Sequence, residues 1–226
     1  MKKVILNVAL LLIGTGLFAQ AVPGAGKKIP EGTLTYTVEW KLPAQMQAMA
    51  SNFPNELKVY FKGDSSSLKT ESPMYNSTSI MNVNKEYERL LLDIPMMGKK
   101  FSVIFNPEDQ EKMQANMPDL ALTAGTETRT VAGFNAIKYD VNEKKTNQAS
   151  VAWFTRDVEV TPNSLTRFYN KSYGFPVEFT SYLNGISVKA VLKEIKTTPV
   201  PAGSFSASKD YEEISFEQLM QMQGGR

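Results

Sequence analysis

Apolar residues recur at every second position in one segment after another of this chain, and that period of two constrains the fold more than anything else in it. In 33–40, Leu34, Tyr36, Val38 and Trp40 alternate with Thr33, Thr35, Thr37 and Glu39, as in a strand with one buried and one solvated face. Leu57, Val59 and Phe61 repeat the pattern, as do Phe101, Val103 and Phe105 after Gly98. Ile137, Tyr139 and Val141 mark a further strand, and Val151 with Trp153 another. Phe175, Val177, Phe179, Ser181 and Leu183 share one face before Asn184-Gly185 turns the chain into 186–196. Weaker candidates lie around 66–72, 77–84, 87–94 and 120–130, which brings the expected sheet to about eleven strands. Connections this short exclude parallel crossovers, so the strands form an antiparallel meander.

Four short amphipathic helices are expected between the strands. Residues 44–53 place Met46, Met49, Ala50 and Phe53 at i, i+3, i+4 and i+7. Asn106 opens the second, with Pro107 at its first position, Glu108 and Asp109 in its first turn, and Met113 and Met117 on one stripe. The third follows Thr161-Pro162 and aligns Leu165, Phe168 and Tyr169. The last starts at the capping box Ser215-Phe216-Glu217-Gln218 and aligns Phe216, Leu219 and Met220. Helices of this length are marginal alone and must lie against the sheet.

The N-terminus reads as a secretory signal over 1–21: Lys2 and Lys3, an apolar stretch from Val4 to Phe18, then Ala19-Gln20-Ala21 as a cleavage site. A turn-rich, flexible lead-in over 22–32, a single domain over 33–222 and a tail over 223–226 complete the expected organisation. Removing the signal leaves about 205 residues, enough for one sizeable core. It also takes two of the 25 basic residues, so 25 − 2 = 23 meet 23 acidic ones. A neutral mature chain without runs of like charge gives no footing for nucleic acid. No apolar run after the signal reaches the length of a transmembrane helix. A periplasmic or secreted location is expected.

The chain has no cysteine and no histidine, so disulfides, zinc sites, thiol nucleophiles and imidazole bases are excluded. Asp157 with Glu159 and Glu212 with Glu213 are the carboxylate pairs open to acid–base work, but such doublets are ordinary on solvated strands and catalytic pairs converge from separate elements. Ser66-Ser67-Leu68-Lys69 spells a serine–lysine motif without a helix start beneath it. The acids after Asn106 lack the spaced ligands of a calcium loop, and no metal or cofactor is expected. Asn76-Ser77-Thr78 is a formal glycosylation sequon.

Eleven methionines, ten of them past Met1, are the most suggestive side chains. Methionine is unbranched and polarisable, so a surface made of it repacks around apolar guests of different shape. The same stripes equally serve to glue helices to a sheet. Thioether binding of Cu(I) by pairs such as Met46 with Met49 lacks a histidine or cysteine to complete it.

A signal peptide, a strand-rich chain of this size and short helices laid across the sheet resemble the periplasmic lipoprotein-carrier superfamily. The phrases Thr130-Val131-Ala132-Gly133-Phe134-Asn135-Ala136-Ile137-Lys138-Tyr139 and Tyr173-Gly174-Phe175-Pro176-Val177-Glu178 look like uncharacterised exported families of that architecture, as does the stretch Pro201…Phe205…Tyr211. The resemblance implies an unclosed β-barrel whose concave apolar face, covered by helices, receives acyl chains. The expected fold is therefore α+β, a strongly curved antiparallel sheet of about eleven strands with short helices covering its concave face. The expected role is non-catalytic binding or carriage of a hydrophobic, lipid-like ligand such as an acyl chain. Trp40, Met46, Met49, Phe53, Met113, Met117 and Phe168 are the expected lining of the groove. The alternative is an envelope protein-interaction module with a self-filled core. An enzyme built on carboxylates alone ranks below both.

Overall fold

The structure, a computed structural model, describes residues 26–115, 117–183 and 185–224. The signal segment, the first residues of the lead-in, Asn184 of the Asn184-Gly185 turn, and Gly225 and Arg226 lie outside the described residues. The first half of the chain forms β1 (Lys27–Lys28), β2 (Glu31–Lys41), β3 (Glu56–Lys62), β4 (Ser65–Glu71), β5 (Asn76–Asn82), β6 (Tyr87–Ile94) and β7 (Lys99–Phe105). After α1 (Pro107–Ala115) come β8 (Leu120–Val131), β9 (Phe134–Glu143), β10 (Gln148–Thr155) and β11 (Val158–Glu159). The chain ends with β12 (Phe175–Leu183), β13 (Ile186–Lys196), β14 (Glu212–Glu213) and α2 (Phe216–Gly224). Each of the segments expected as a strand falls on one of these. The lead-in differs from expectation: from Gly26 on it is tied down, with β1 parallel to β11 and β2 beginning at Glu31.

Twelve strands form one curved sheet that does not close, in the order β14-β7-β6-β5-β4-β3-β2-β13-β12-β10-β9-β8. Eleven of them pair antiparallel, and β14 adds two residues parallel to β7, which makes the sheet mixed. β2 to β7 run out as a meander to one edge, and β8 lies at the other. The two halves join in the middle, where β2 pairs with β13 from Thr33↔Lys196 to Lys41↔Ser187. Only residues 106–119 connect β7 to β8 across the whole width of the sheet. A helix advances about 1.5 Å per residue, so the sheet must curl to bring its edges within reach of α1.

Turn chemistry fixes the hairpins. Ala132 and Gly133 both take positive φ, 49° and 84°, the pair a two-residue type I′ turn requires between β8 and β9. Gly174, at φ 105°, approaches so closely that a Cβ there would lie 2.4 Å from the Thr155 carbonyl oxygen. Asn106 and Asp109 cap α1 reciprocally, each side chain accepting the other's backbone N–H at 2.8 and 3.2 Å. Ser215 and Gln218 do the same for α2 at 3.1 and 2.8 Å.

Two of the expected helices take other forms. Ala44–Asn52 is a 3-10 segment, with Met46 N–H donating to the Pro43 carbonyl and Phe53 N–H to that of Ala50. Both its ends are tied to strands, and Val38 N–H donates to the Asn55 carbonyl at 2.8 Å, so the excursion is compressed into the tighter i+3 pattern. Residues 161–170 form turns, not a helix. Asn163 Oδ1 accepts from Leu165 N–H at 2.9 Å, and Thr166 Oγ1 accepts from Asn163 N–H at 3.0 Å. Such local bonds divert the backbone from the helical ladder.

This turn segment plugs the concave side of the sheet. Leu165 is fully buried, Ser181 Oγ donates to its carbonyl, and Tyr169 OH donates to the Thr180 carbonyl, both at 2.7 Å. The Tyr169 ring meets Phe154 and Phe179 edge to face, and Tyr36 meets Phe179 at 5.7 Å. With Leu34, Leu57, Val59, Phe61, Val177 and Val188 these rings make the main core. In β10 the phase differs from the sequence reading. Phe154 shares a face with Tyr139 and Tyr169, whereas Trp153, also buried in this core, alternates to the other face of the strand and lies beneath the Arg129 guanidinium, 4.0 Å from its ring, with Arg129 paired to Glu178.

The C-terminal segment then wraps the sheet from outside. Val200 N–H donates to Glu31 at 2.9 Å, and farther on Lys100 pairs with Asp210 at 2.6 Å on the outward side of β7. Between these anchors Ser204 is buried, its hydroxyl donating to the Pro201 carbonyl at 2.7 Å. After β14 the chain passes the β7 edge, and α2 buries Leu219 against Val103 and Phe105 on the inner side.

Candidate functional site

Inward-facing side chains differ along the sheet. On β4, β5 and β6 the register aligns Thr70 with Ser77, Leu68 with Ser79, and Ser79 with Leu90. The serines and the threonine among them are too small to fill the space beside them. A cavity of about 770 Å³ results, within the range of about 300–1,000 Å³ typical of small-molecule sites.

Trp40, Met46, Met49, Phe53, Met113, Met117 and Phe168 all line this one cavity. They come from β2, the 3-10 segment, α1 with the residues just after it, and the 161–170 turns. Trp40 is fixed by Nε1 donating to the Pro54 carbonyl at 2.7 Å and by the Phe53 ring at 5.1 Å. Phe168 meets Tyr182 edge to face at 5.8 Å. Phe216, Leu219 and Met220 of α2 and Met74 of the β4–β5 loop extend the apolar lining. Phe216 is held against Phe105 at 5.6 Å.

Beside Leu68 and Leu90 the strands also bring polar groups to the lining, and the sequence reading missed them. Thr70, Ser77, Ser79 and Glu88 reach the cavity from the strands, Ser164 and Arg167 from the turns. Arg167 Nη1 donates to Glu88 Oε1 at 2.6 Å, and both side chains are largely shielded from solvent. Ser79 and Ser164 hydroxyls bond each other at 2.7 Å. Burial raises the Tyr75 phenol above its ordinary value, and burial followed by the nearby Glu143 charge does the same for Tyr182. Both phenols are neutral hydrogen-bonding groups on the lining. The one signal for these groups was the weakness of the alternation over 77–84, where inward positions carry serine instead of an apolar residue.

The other groups weighed for chemistry lie elsewhere. Asp157 accepts from Asn135 N–H at 2.8 Å, and Glu213 faces Arg89 at 3.6 Å on the outer side. Ser66 Oγ donates to the Pro162 carbonyl on the inner side, whereas the Lys69 ammonium lies over the Tyr60 ring on the outer side. An i, i+3 pair on a strand points to opposite faces, so this serine and lysine do not meet. Among the described residues, no three acidic side chains gather as a metal site. The cavity as built offers contact area and hydrogen bonds. No family model matches the chain, and a search of curated proteins returns no match either.

Proposed function

We propose that the protein is an exported, non-catalytic binding or carrier protein for a hydrophobic, lipid-like ligand, and that the cavity of about 770 Å³ is its site. The observation that carries this reading is the cavity's lining. A methionine-rich lining from four separate segments faces an unfilled space, where a plastic apolar surface adapts to a flexible chain. In this reading the 3-10 segment, α1 and α2 cover the concave face as in the lipoprotein-carrier superfamily, and their displacement releases the guest. Each methylene transferred from water contributes about 0.8 kcal/mol, so even a partly enclosed acyl chain binds after the costs of immobilisation. The competing reading, an envelope interaction module, requires a self-filled core, and the unfilled space favours the carrier.

Native mass spectrometry with lipid extraction, on mature protein purified from its own envelope, tests the proposal. A stoichiometric acyl-chain ligand is the expected result. A clean apo mass, with no uptake of added fatty acid or phospholipid, overturns it. Met113→Asp is expected to abolish lipid uptake while the protein stays folded, because Met113 lines the cavity without being fully buried.

A further inference from the structure

Within its largely apolar lining the cavity carries a patch of hydroxyls, and that patch shows what kind of ligand head it fits. Register places Thr70 of β4 beside Ser77 of β5, with Ser79 two residues further along β5 between Leu68 and Leu90. Ser164 closes on Ser79 from the turn segment. Thr70 and Ser77 also line the cavity, and a hydroxyl both donates and accepts. The charges on the lining are already compensated. Arg167 is engaged by Glu88 at 2.6 Å and Lys112 by Glu108 at 2.7 Å. An ionised carboxylate or phosphate brought against this patch would lose its hydration and would have to displace Glu88 to gain a countercharge.

We propose that the cavity selects a single-chain amphiphile with an uncharged, hydrogen-bonding head, such as a monoacylglycerol, whose chain lies on the methionine-rich lining and whose hydroxyls meet the Thr70–Ser77–Ser79 patch. This deepens the lipid-binding reading and rests on it. A cavity of this volume suits one chain with its head, and each of the two parts meets a lining of its own kind.

The test is displacement of a neutral naphthylamine dye from the mature protein by monooleoylglycerol and by oleate at alkaline pH, each below its aggregation threshold. Monooleoylglycerol is expected to displace the dye at about one-tenth the concentration of oleate, the worth of one or two net hydrogen bonds. The double variant Thr70→Val, Ser79→Ala, whose fold is checked by its denaturation midpoint, is expected to lose that preference while still binding dye. Equal or better displacement by oleate overturns the proposal and leaves the lipid-binding reading standing. A preference that survives in the double variant does the same. No dye uptake and no displacement by either lipid overturns both.

Discussion

Tyr36 on β2 and Phe179 on β12 meet edge to face with no accessible surface between them. A few strands away, Ser77 and Ser79 hold the equivalent inward positions and face open space. Both regions belong to one continuous sheet, and their inward side chains differ in volume. Over β2, β3, β10, β12 and β13 the inward residues are rings and branched aliphatics, and Leu165 and Tyr169 complete them. Over β4 to β6 serine, threonine and glutamate are interspersed with Leu68 and Leu90 and leave space beside them. In the proposed reading the solid half sets stability and the hollow half receives the ligand.

The sharpest way to break this comparison is to truncate matched residues in each half. Phe154→Ala removes a ring that is 1% exposed and touches Tyr139 and Tyr169, and is expected to cost about 3–5 kcal/mol in urea denaturation. Met113→Ala, on the hollow side, is expected to cost less than about 1 kcal/mol and to weaken dye binding. Equal costs would mean that the halves are not different in kind.

Arg167 stands where the plug meets the hollow wall. Arg167→Met strands the Glu88 carboxylate, 7% exposed, and is expected to cost about 3 kcal/mol. The double variant with Glu88→Leu should recover most of that loss, which separate denaturation curves will show.

Adding volume sharpens the contrast from the other side. Ala190 is fully buried in the solid half, and Ala190→Leu is expected to cost about 1–3 kcal/mol by overpacking. Ser77→Leu in the hollow half should stay within about 1 kcal/mol of the parent and reduce dye uptake, because the new side chain occupies the guest's space.

The smallest effect concerns pH. The Thr146 hydroxyl, helped by the backbone N–H groups of Asp119 and Thr146, holds the Glu143 carboxyl down at about 2, against a burial penalty that pushes it up. Lys100 and Ser208 hold Asp210 at about 2 as well. Both values lie below those of the unfolded chain, so the stability they confer is complete above the ordinary carboxylate range. It is lost as pH falls from there toward about 2. Glu143→Gln with Asp210→Asn should flatten the acid limb of a stability–pH profile relative to the parent.

The contrast also explains what was legible in the sequence. Period two is visible wherever one face is buried among large residues, which is why 33–40 and 175–183 read clearly as strands. β5 read weakly because its inward serines serve a cavity, and a polar inward face looks like a solvated one. The spacing of Leu165, Phe168 and Tyr169 fits a helical stripe, yet Asn163 and Thr166 spend their side chains on the local backbone, a competition that spacing alone does not reveal. The methionines read as apolar stripes lie along the cavity. Which space they bound depended on strands that pair far along the chain, and the phase of Trp153 depended on Arg129 arriving from β8.

The seam between β2 and β13 joins residues more than a hundred positions apart, and this gives the molecule a clock. Each hairpin of β2–β7 forms from neighbours and can assemble as soon as its own strands exist. The seam must wait for nearly the whole chain, and α2 for the chain's end. A pairing of such long range slows the search for the native state. A polypeptide emerging N-terminus first would therefore hold a half-finished trough until its last residues arrive and give it an inside.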